Sequence, residues 1–497
     1  MPEPHSFQKL RPCGRLERFS TARHHLGFYN NVAVSATYST PDPHSSLHSL
    51  IYRALALVIS QHSILSAILV DEDKSDPYFA RLPQIDLDQC TTFVTRQSPL
   101  SFNSEKGGED LELDDLLSKQ HNRNFKDRYG ELPFWRVLIL HNGDAETREF
   151  VLSFIYHHAL ADGTSGLAFH RSFLSSVNIV SSQSPTSISP DETIITSPST
   201  PLLPPLEALH PLPLSLSYLL KALINKSLGK PPATLWTGKP ITVDPSHKSR
   251  FQSFSLSASH TKALLALSRN HKTTLTGALE ALVAASTFAN LGKEYERLGV
   301  DVAVSLRRFL DKDVVNADVI GDFVSKCVFK HNRAAPAASS GKNSLDLFSW
   351  NEARKIRGTI EEELGKNGKD TVVGLLPYAG DMHKFFTDNV GKRRDASFEF
   401  SNIGVFKAAQ TRGEDGSEDA EGDAKVRWKI GRCFFSQGVN VCGAAFEVSV
   451  VTGGDGCLTM GFSWIEGVVE GEWMDKVVQD LKSGIEVLLR EAEGLEY

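Results

Sequence analysis

The sequence predicts a layered α/β (α+β) fold divided into two units, and three observations lead there. Apolar, β-branched and aromatic runs with strand spacing alternate with stretches of helical spacing in both halves of the chain. Between the halves lies Ser181 to Pro205 (SSQSPTSISPDETIITSPSTPLLPP), a Ser/Thr/Pro-rich stretch with too little apolar surface to offset the entropy of ordering it. The 497 residues are 41% hydrophobic and 23% charged, a composition that supports a large core in two or three units of roughly 150 residues each. The division expected is an N-terminal domain over 1–180, a linker over 181–215 and a C-terminal domain over 216–497.

Asn30 to Thr40 (NNVAVSATYST) alternates in the manner of a half-buried strand. His48 to Val70 then places Leu50, Ala54, Leu57, Val58 and Leu65 at helical spacing, so a strand followed by a helix is expected to open the fold. Ile51 to Val70 is the most apolar long stretch, but Arg53, Gln61 and His62 interrupt it, which predicts a buried helix rather than a bilayer span. Pro133 to His141 and Glu149 to Tyr156 read as a strand pair across the turn Asn142-Gly143-Asp144, with a helix over Leu167 to Val177. In the second half, Thr261 to Gly292 reads as two helices around a polar turn and Val300 to Leu306 as a strand. Ala444 to Thr452 and Leu458 to Trp464 read as strands before a closing helix from Trp473 to Glu491. Ala334 to Asn343 and the acidic Thr411 to Ala424 read as surface insertions.

Charge and composition exclude several function classes. With 53 Lys and Arg against 60 Asp and Glu, the net charge is −7, so the basic footprint that phosphate backbones require is missing and no nucleic-acid partner is expected. Met1 to Arg15 lacks the apolar core of a secretory leader, which predicts a cytoplasmic protein. The six cysteines (Cys13, Cys90, Cys327, Cys433, Cys442, Cys457) form no C-x-x-C pair and fit reduced, buried thiols. A monomer is expected.

The chemistry concentrates in Phe150 to His170 (FVLSFIYHHALADGTSGLAFH), where a strand runs into His157-His158, a short loop carries Asp162-Gly163, and a helix follows. Adjacent residues at a strand end point to opposite faces, so the two histidines do not converge on one ion and no metal is expected. The same geometry gives one histidine to the core and the other to a cleft, where a neutral imidazole, with a reference pKa of about 6.5, can take a proton from an alcohol or amine. Asp162 then holds the loop through an ion pair, and Gly163 permits the tight turn into the helix. The other dipeptide of this kind, His24-His25, has Tyr29 where the motif has its aspartate and reads as structural. The sequence holds no G-x-S-x-G elbow, no phosphate loop and no G-x-G-x-x-G after a strand, so hydrolase-type covalent catalysis, kinases and dinucleotide enzymes lose support, and direct transfer from an activated acyl donor fits.

His157-His158-Ala159-Leu160-Ala161-Asp162-Gly163 resembles the active-site motif of the coenzyme A-dependent acyltransferase superfamily, which includes chloramphenicol acetyltransferase, the plant BAHD enzymes and peptide-synthetase condensation domains. The opening Arg11-Pro12-Cys13-Gly14-Arg15-Leu16-Glu17 with Tyr29-Asn30-Asn31-Val32, and the later Ser397-Phe398-Glu399-Phe400-Ser401-Asn402-Ile403-Gly404, are similar to the fungal alcohol O-acetyltransferase family. The D-F-G-W-G motif of the BAHD branch is absent, its place taken by Ser401-Asn402-Ile403-Gly404. The resemblance implies two chloramphenicol-acetyltransferase-like domains with a tunnel between them, entered by acyl-CoA from one side and the acceptor from the other. It makes His158 the general base, with Asp162 beside it in the catalytic motif and His157 and Gly163 structural. Ser305-Leu306-Arg307-Arg308 followed by Gly321-Asp322-Phe323 looks like the strand whose arginine pairs with the motif aspartate, which assigns that role to Arg307, with Arg308 second. Ser401, Asn402 and Gly404 are the implied substrate or CoA contacts.

The function so implied is acyl-CoA-dependent O-acyl transfer in secondary metabolism. It moves acetyl from acetyl-CoA, a co-substrate rather than a bound cofactor, to a hydroxyl of a hydrophobic small molecule. An amine acceptor is the first alternative, since the base needs only to remove one proton. A non-catalytic binding protein of the same fold is the second.

Overall fold

In the computed structural model, which describes residues 6–44, 46–99, 103–143, 146–183, 193–228, 231–244, 248–333, 344–408 and 428–493, the strands form two large mixed sheets, of five and seven strands, and two small ones, interspersed with helices. The strand expected to open the fold is preceded by β1 (Lys9–Pro12) and α1 (Arg15–His25), whose first turn is closed by Glu17 accepting the Gly14 amide. β2 (Val32–His44) and α2 (Leu47–Gln61) follow, and here the expected helix ends early. His62 leaves helical dihedrals, and Ala67–Val70 forms β3, paired antiparallel with β4 (Tyr78–Arg81). Four successive apolar residues buried on both faces suit a strand as well as a helix, and the pairing partner decides. The half continues with β5 (Gln84–Asp86), α3 (Leu87–Cys90), β6 (Thr91–Thr95), α4 (Leu111–His121), β7 (Trp135–His141), β8 (Thr147–Tyr156) and α5 (Gly163–Ser181). β7 and β8 are the expected antiparallel pair.

The second half runs β9 (Ile194–Thr196), α6 (Leu206–Leu209), α7 (Leu216–Leu228), β10 (Leu235–Trp236), β11 (Ser249–Leu256), α8 (Ala258–Asn270), α9 (Leu275–Ala289), β12 (Arg297–Ser305), β13 (Val324–Asn332), α10 (Trp350–Gly365), α11 (Met382–Thr387), β14 (Phe398–Val405), β15 (Lys429–Gln437), β16 (Phe446–Thr452), β17 (Leu458–Ile465) and α12 (Gly471–Ala492). Its sheet has the order β13–β12–β14–β16–β17–β11, with the short β10 also on β12, and the stretch β12–β14–β16 is parallel. Leu298, Val300, Val302 and Val304 of β12 face a core shared with α8, α9 and α12, while Asp301, on the opposite face, pairs with Lys326 of β13. Among the described residues, no helix is long and apolar enough to cross a membrane.

Two features of the structure bear on the division of the chain. The segment placed in a linker is ordered where it is described: β9 pairs with β5, Arg81 donates to the carbonyls of Ser199 and Thr200 (3.3 and 3.0 Å), and Arg11 donates to that of Leu203 (2.7 Å). Strand pairing and two guanidinium groups satisfy this backbone, so little apolar surface is needed to fix it. Residues 184–192 of the linker and the two expected insertions, 334–343 and 411–424, lie outside the described residues. The 216–497 stretch is also not confined to its own sheet. β15 pairs antiparallel with β2, from Gln437 opposite Val32 to Lys429 opposite Ser39, and completes the first sheet as β15–β2–β8–β7–β6.

Buried histidines tie these elements together. His121 bridges Asn31 (2.7 Å) and Ser436 (2.9 Å), and His170 binds the Tyr38 hydroxyl (2.8 Å) and the Val34 carbonyl (2.9 Å). Burial pushes the His121 imidazole down to about 3 and that of His170 to about 4. Such groups stay neutral in the folded chain while the unfolded chain takes up protons near the reference value of about 6.5. Their contribution is therefore complete above pH 6.5 and is lost as pH falls toward 4. Thermal melts are expected to show a Tm lower by roughly 5 °C or more at pH 5 than at pH 7.5; a flat profile over that window would contradict neutral burial.

Candidate active site

The site forms where β8 ends. The His157 amide still donates to the Phe134 carbonyl (2.9 Å), and the chain then turns tightly, with the Leu160 and Ala161 amides donating to the carbonyls of His157 and His158. Strand alternation at this point separates the two histidines. The His157 side chain is 1% exposed, whereas that of His158 keeps 15% at the seam between the halves.

His157 belongs to a buried hydrogen-bonded group. Glu72 sits between His24 Nδ1 (3.0 Å) and His157 Nε2 (3.2 Å), with the two imidazoles edge-on at 4.3 Å. The remaining ring nitrogens accept backbone amides: His24 Nε2 from Phe125 (3.0 Å) and His157 Nδ1 from Ala159 (2.9 Å). Each ring thus has its hydrogen on the nitrogen facing Glu72. Burial pushes the Glu72 carboxyl up, but the two imidazoles outweigh it and hold it at about 2, while burial and the neighbouring His24 ring bring His157 down to about 4. His24, Glu72 and His157 stand within ligating distance of one another. Their lone pairs are nonetheless engaged by amides, so the set is built as two N–H donors on a carboxylate rather than as a cage for a cation. His24 is structural, as expected, but it supports the motif directly, which its separation in sequence conceals.

His158 has its Nδ1 3.3 Å from Asp322 Oδ2, and the Tyr29 ring stands edge-on to it at 5.7 Å. Among the described residues, no hydrogen bond reaches its Nε2. The Asp322 side chain is fully enclosed; burial pushes its carboxyl up and His158 draws it back down.

Asp162 caps α5 and gathers four donors. Its Oδ1 accepts the Ser165 amide (2.8 Å), the Ser165 hydroxyl (2.9 Å) and Arg307 Nη2 (3.1 Å), and its Oδ2 accepts the Phe323 amide (3.1 Å). The expected Asp162–Arg307 pair is present with both side chains buried, but it uses one guanidinium nitrogen instead of a two-pronged fork, because the second carboxylate oxygen is taken by Phe323. Arg307 lies in a short 3₁₀ turn past β12 rather than in the strand, and Arg308 is exposed. Gly163 is explained differently from the expectation. It is the first residue of the helix, and a Cβ there would stand 2.6 Å from Ile403 Cγ2 and 3.1 Å from Phe435 Cζ, so close packing rather than a turn excludes a side chain.

Ile403 is also what joins the Ser401-to-Gly404 run to the motif. Ser401 donates to Glu399 (3.2 Å), Asn402 donates to Thr276 (3.0 Å) and accepts the Gly404 amide (2.9 Å), and Gly404, next to last in β14, sits at φ +87°. None of these hydrogen bonds reaches His158. A groove of about 380 Å³ runs along the seam past Leu160, Gly321, Asp322 and Phe323. Sequence reasoning missed Asp322, Glu72 and Tyr29 as site residues. Asp322 sits inside the Gly321-Asp322-Phe323 run singled out beside Arg307, whereas Glu72 lies in the polar string Asp71 to Lys74, which carries no signal of burial.

The alcohol acetyltransferase family model matches residues 12–485, and the chain belongs to that family. The probable alcohol acetyltransferase crmB of Aspergillus fumigatus is 37% identical over 481 residues, covering 94% of this chain and 97% of the relative. Among solved structures, TRI3 trichothecene 15-O-acetyltransferase from Fusarium sporotrichioides superposes with a TM-score of 0.69 at 11% identity, over 96% of this chain and 94% of that one. The epimerization domain from the third module of tyrocidine synthetase B gives 0.57 at 13% identity over 99% of each chain. The fold is that of the two-domain, chloramphenicol-acetyltransferase-like acyltransferases, and the protein is an acyltransferase. Its family implies an acyl-CoA co-substrate and a small-molecule acceptor.

The packing around Gly163 yields a direct test. Gly163→Ala should cost about 1–3 kcal/mol of stability and lower activity, and Ile403→Ala in the same chain should recover part of both. Unchanged melting and turnover in Gly163→Ala would show that the contact carries no constraint.

Proposed function

We propose that this member of the alcohol acetyltransferase family moves acetyl from acetyl-CoA to a hydroxyl of a hydrophobic small molecule, with His158 as the general base. The observation that carries the reading is the state of the His158 ring: one nitrogen is held by Asp322, and the other lies at the seam with no protein hydrogen bond among the described residues. In this reading, His158 Nε2 takes the hydroxyl proton as the acceptor oxygen bonds to the thioester carbonyl carbon. The C–S bond then breaks, and the proton passes from Nε2 to the departing sulfur. No covalent acyl-enzyme is required.

The names of the related proteins support an oxygen acceptor: the Aspergillus relative is described as an alcohol acetyltransferase and the Fusarium structure as a 15-O-acetyltransferase. Tyr29, whose ring stands edge-on to His158, gives the base an apolar neighbour in keeping with a hydrophobic acceptor. In this reading the groove lined by Leu160, Phe323 and Asp322, the residue paired with His158, is one route toward the base, and Ser401, Asn402 and Gly404 of β14 form a wall for the bound substrates.

The test is thiol release from acetyl-CoA by the purified chain with a panel of straight-chain and aromatic alcohols and matched amines, with products identified by mass spectrometry. Acetyl esters are expected. His158→Ala should lower turnover by about 10²–10⁴ with the melting temperature nearly unchanged, because it removes the base and little packing. Wild-type turnover in the alanine variant would remove His158 from this role, and amides in place of esters would move the acceptor class to amines.

A further inference from the structure

We propose that Asp322 is a positioning residue for acyl transfer: its carboxylate accepts the Nδ1 hydrogen of His158, sets the tautomer that leaves the Nε2 lone pair for the substrate, and stabilises the imidazolium formed during turnover. The inference rests on the reading of His158 as the base and adds the group that makes that base work.

Three observations support it. The first is contact: Asp322 Oδ2 stands 3.3 Å from His158 Nδ1. The second is isolation. The Asp322 side chain has no exposure, its Oδ1 has no hydrogen-bond partner, and His158 is the one group with which it pairs among the described residues. A buried carboxylate with a single partner is costly to keep, which packing alone does not require.

The third is the way Asp322 is held. Both of its chain neighbours are fastened by the motif that carries the base. Gly321 donates to the Ser165 hydroxyl (3.0 Å), and its carbonyl accepts the Asp162 amide (3.1 Å) and Arg307 Nη2 (3.2 Å). The Phe323 amide donates to Asp162 Oδ2 (3.1 Å), and its carbonyl accepts the Leu306 amide (2.8 Å). Asp162 thus touches no reacting atom, yet it fixes the backbone on either side of the residue that touches the base.

The charges around the pair agree with this assignment. Asp162 is matched by Arg307, and His157 points away to Glu72. The Arg23 guanidinium lies over the Tyr29 ring, 4.4 Å from its centroid, and makes no direct bond to Asp322. Asp322 is therefore the negative group placed to compensate a charge on His158. During turnover, Nε2 gains the acceptor proton as the new C–O bond forms and returns it to sulfur as the C–S bond breaks, while the Nδ1 hydrogen stays on the ring and Asp322 gains and loses none.

The experiment compares the full chain with Asp322→Asn, using acetyl-CoA and an alcohol from the panel that the wild type acetylates. Asn keeps the shape but removes the charge. The variant should lose about 10–10³-fold in kcat with KM for acetyl-CoA within about threefold, and the acidic limb of its kcat/KM profile should move to lower pH. A purely structural role would not move that limb. Nitrogen NMR of wild-type protein with labelled histidine, the His158 signal assigned by its loss in His158→Ala, reads the tautomer even if the variant does not fold. A hydrogen on Nδ1 is expected at neutral pH. A hydrogen on Nε2, or an Asp322→Asn enzyme with wild-type kcat and an unmoved acidic limb, would overturn the proposal. If instead His158→Ala were fully active, it is the base reading that fails.

Discussion

Four donors from three separate stretches of chain converge on the Asp162 carboxylate: the amide and hydroxyl of Ser165 in α5, the guanidinium of Arg307 after β12, and the amide of Phe323 before β13. A charge this deeply enclosed is tolerated only when its lone pairs are filled, so each donor is held in place by the cost of leaving the carboxylate unsatisfied. The first turn of α5 contributes twice, through free amides and through the positive end of its dipole. Because the other two donors come from the second half of the chain, this one group fixes how the halves meet beside His158.

What lies around that point follows from the same need for closeness. α5 meets the tip of β14 at a residue without a side chain, with Ile403 and Phe435 filling the space a Cβ at Gly163 would occupy. Phe435 comes from β15, the strand that the second half contributes to the first sheet. Behind the motif, Glu72 and His24 fix the ring of His157 and with it the backbone from which His158 projects. His158 therefore belongs to one half, while Asp322 and Arg307 belong to the other, and the site is complete only when both are docked.

The sequence made the strand-to-helix context of the motif legible because local signals carry it: an apolar β8, a polar tip, and an N-cap aspartate followed by helical spacing. The alternation that sends His157 inward and His158 to the seam is equally local. Arg307 could be named only through resemblance, since nothing in its neighbourhood announces a partner 145 positions away. Glu72 was missed because a carboxylate in a polar string reads as solvated until tertiary contacts show what covers it, and Asp322 because nothing local in Gly321-Asp322-Phe323 announces a histidine 164 positions away. The Gly163 rationale failed for the converse reason, as a glycine after an aspartate suggests a turn while the constraint here is a neighbour from β14. The early end of α2 and the ordered segment 193–215 show the same limit, with pairing partners overriding local composition.

The central claim is that Asp162 and Arg307 act as one structural unit that assembles the site rather than as proton carriers. A double-mutant cycle of Asp162→Asn and Arg307→Ala, read in both unfolding free energy and kcat, tests it most directly. The account predicts that each single change costs about 3–5 kcal/mol of stability together with activity, because the partner is left buried and unpaired, and that the double variant loses far less than the sum. Additive losses in both readouts would contradict it.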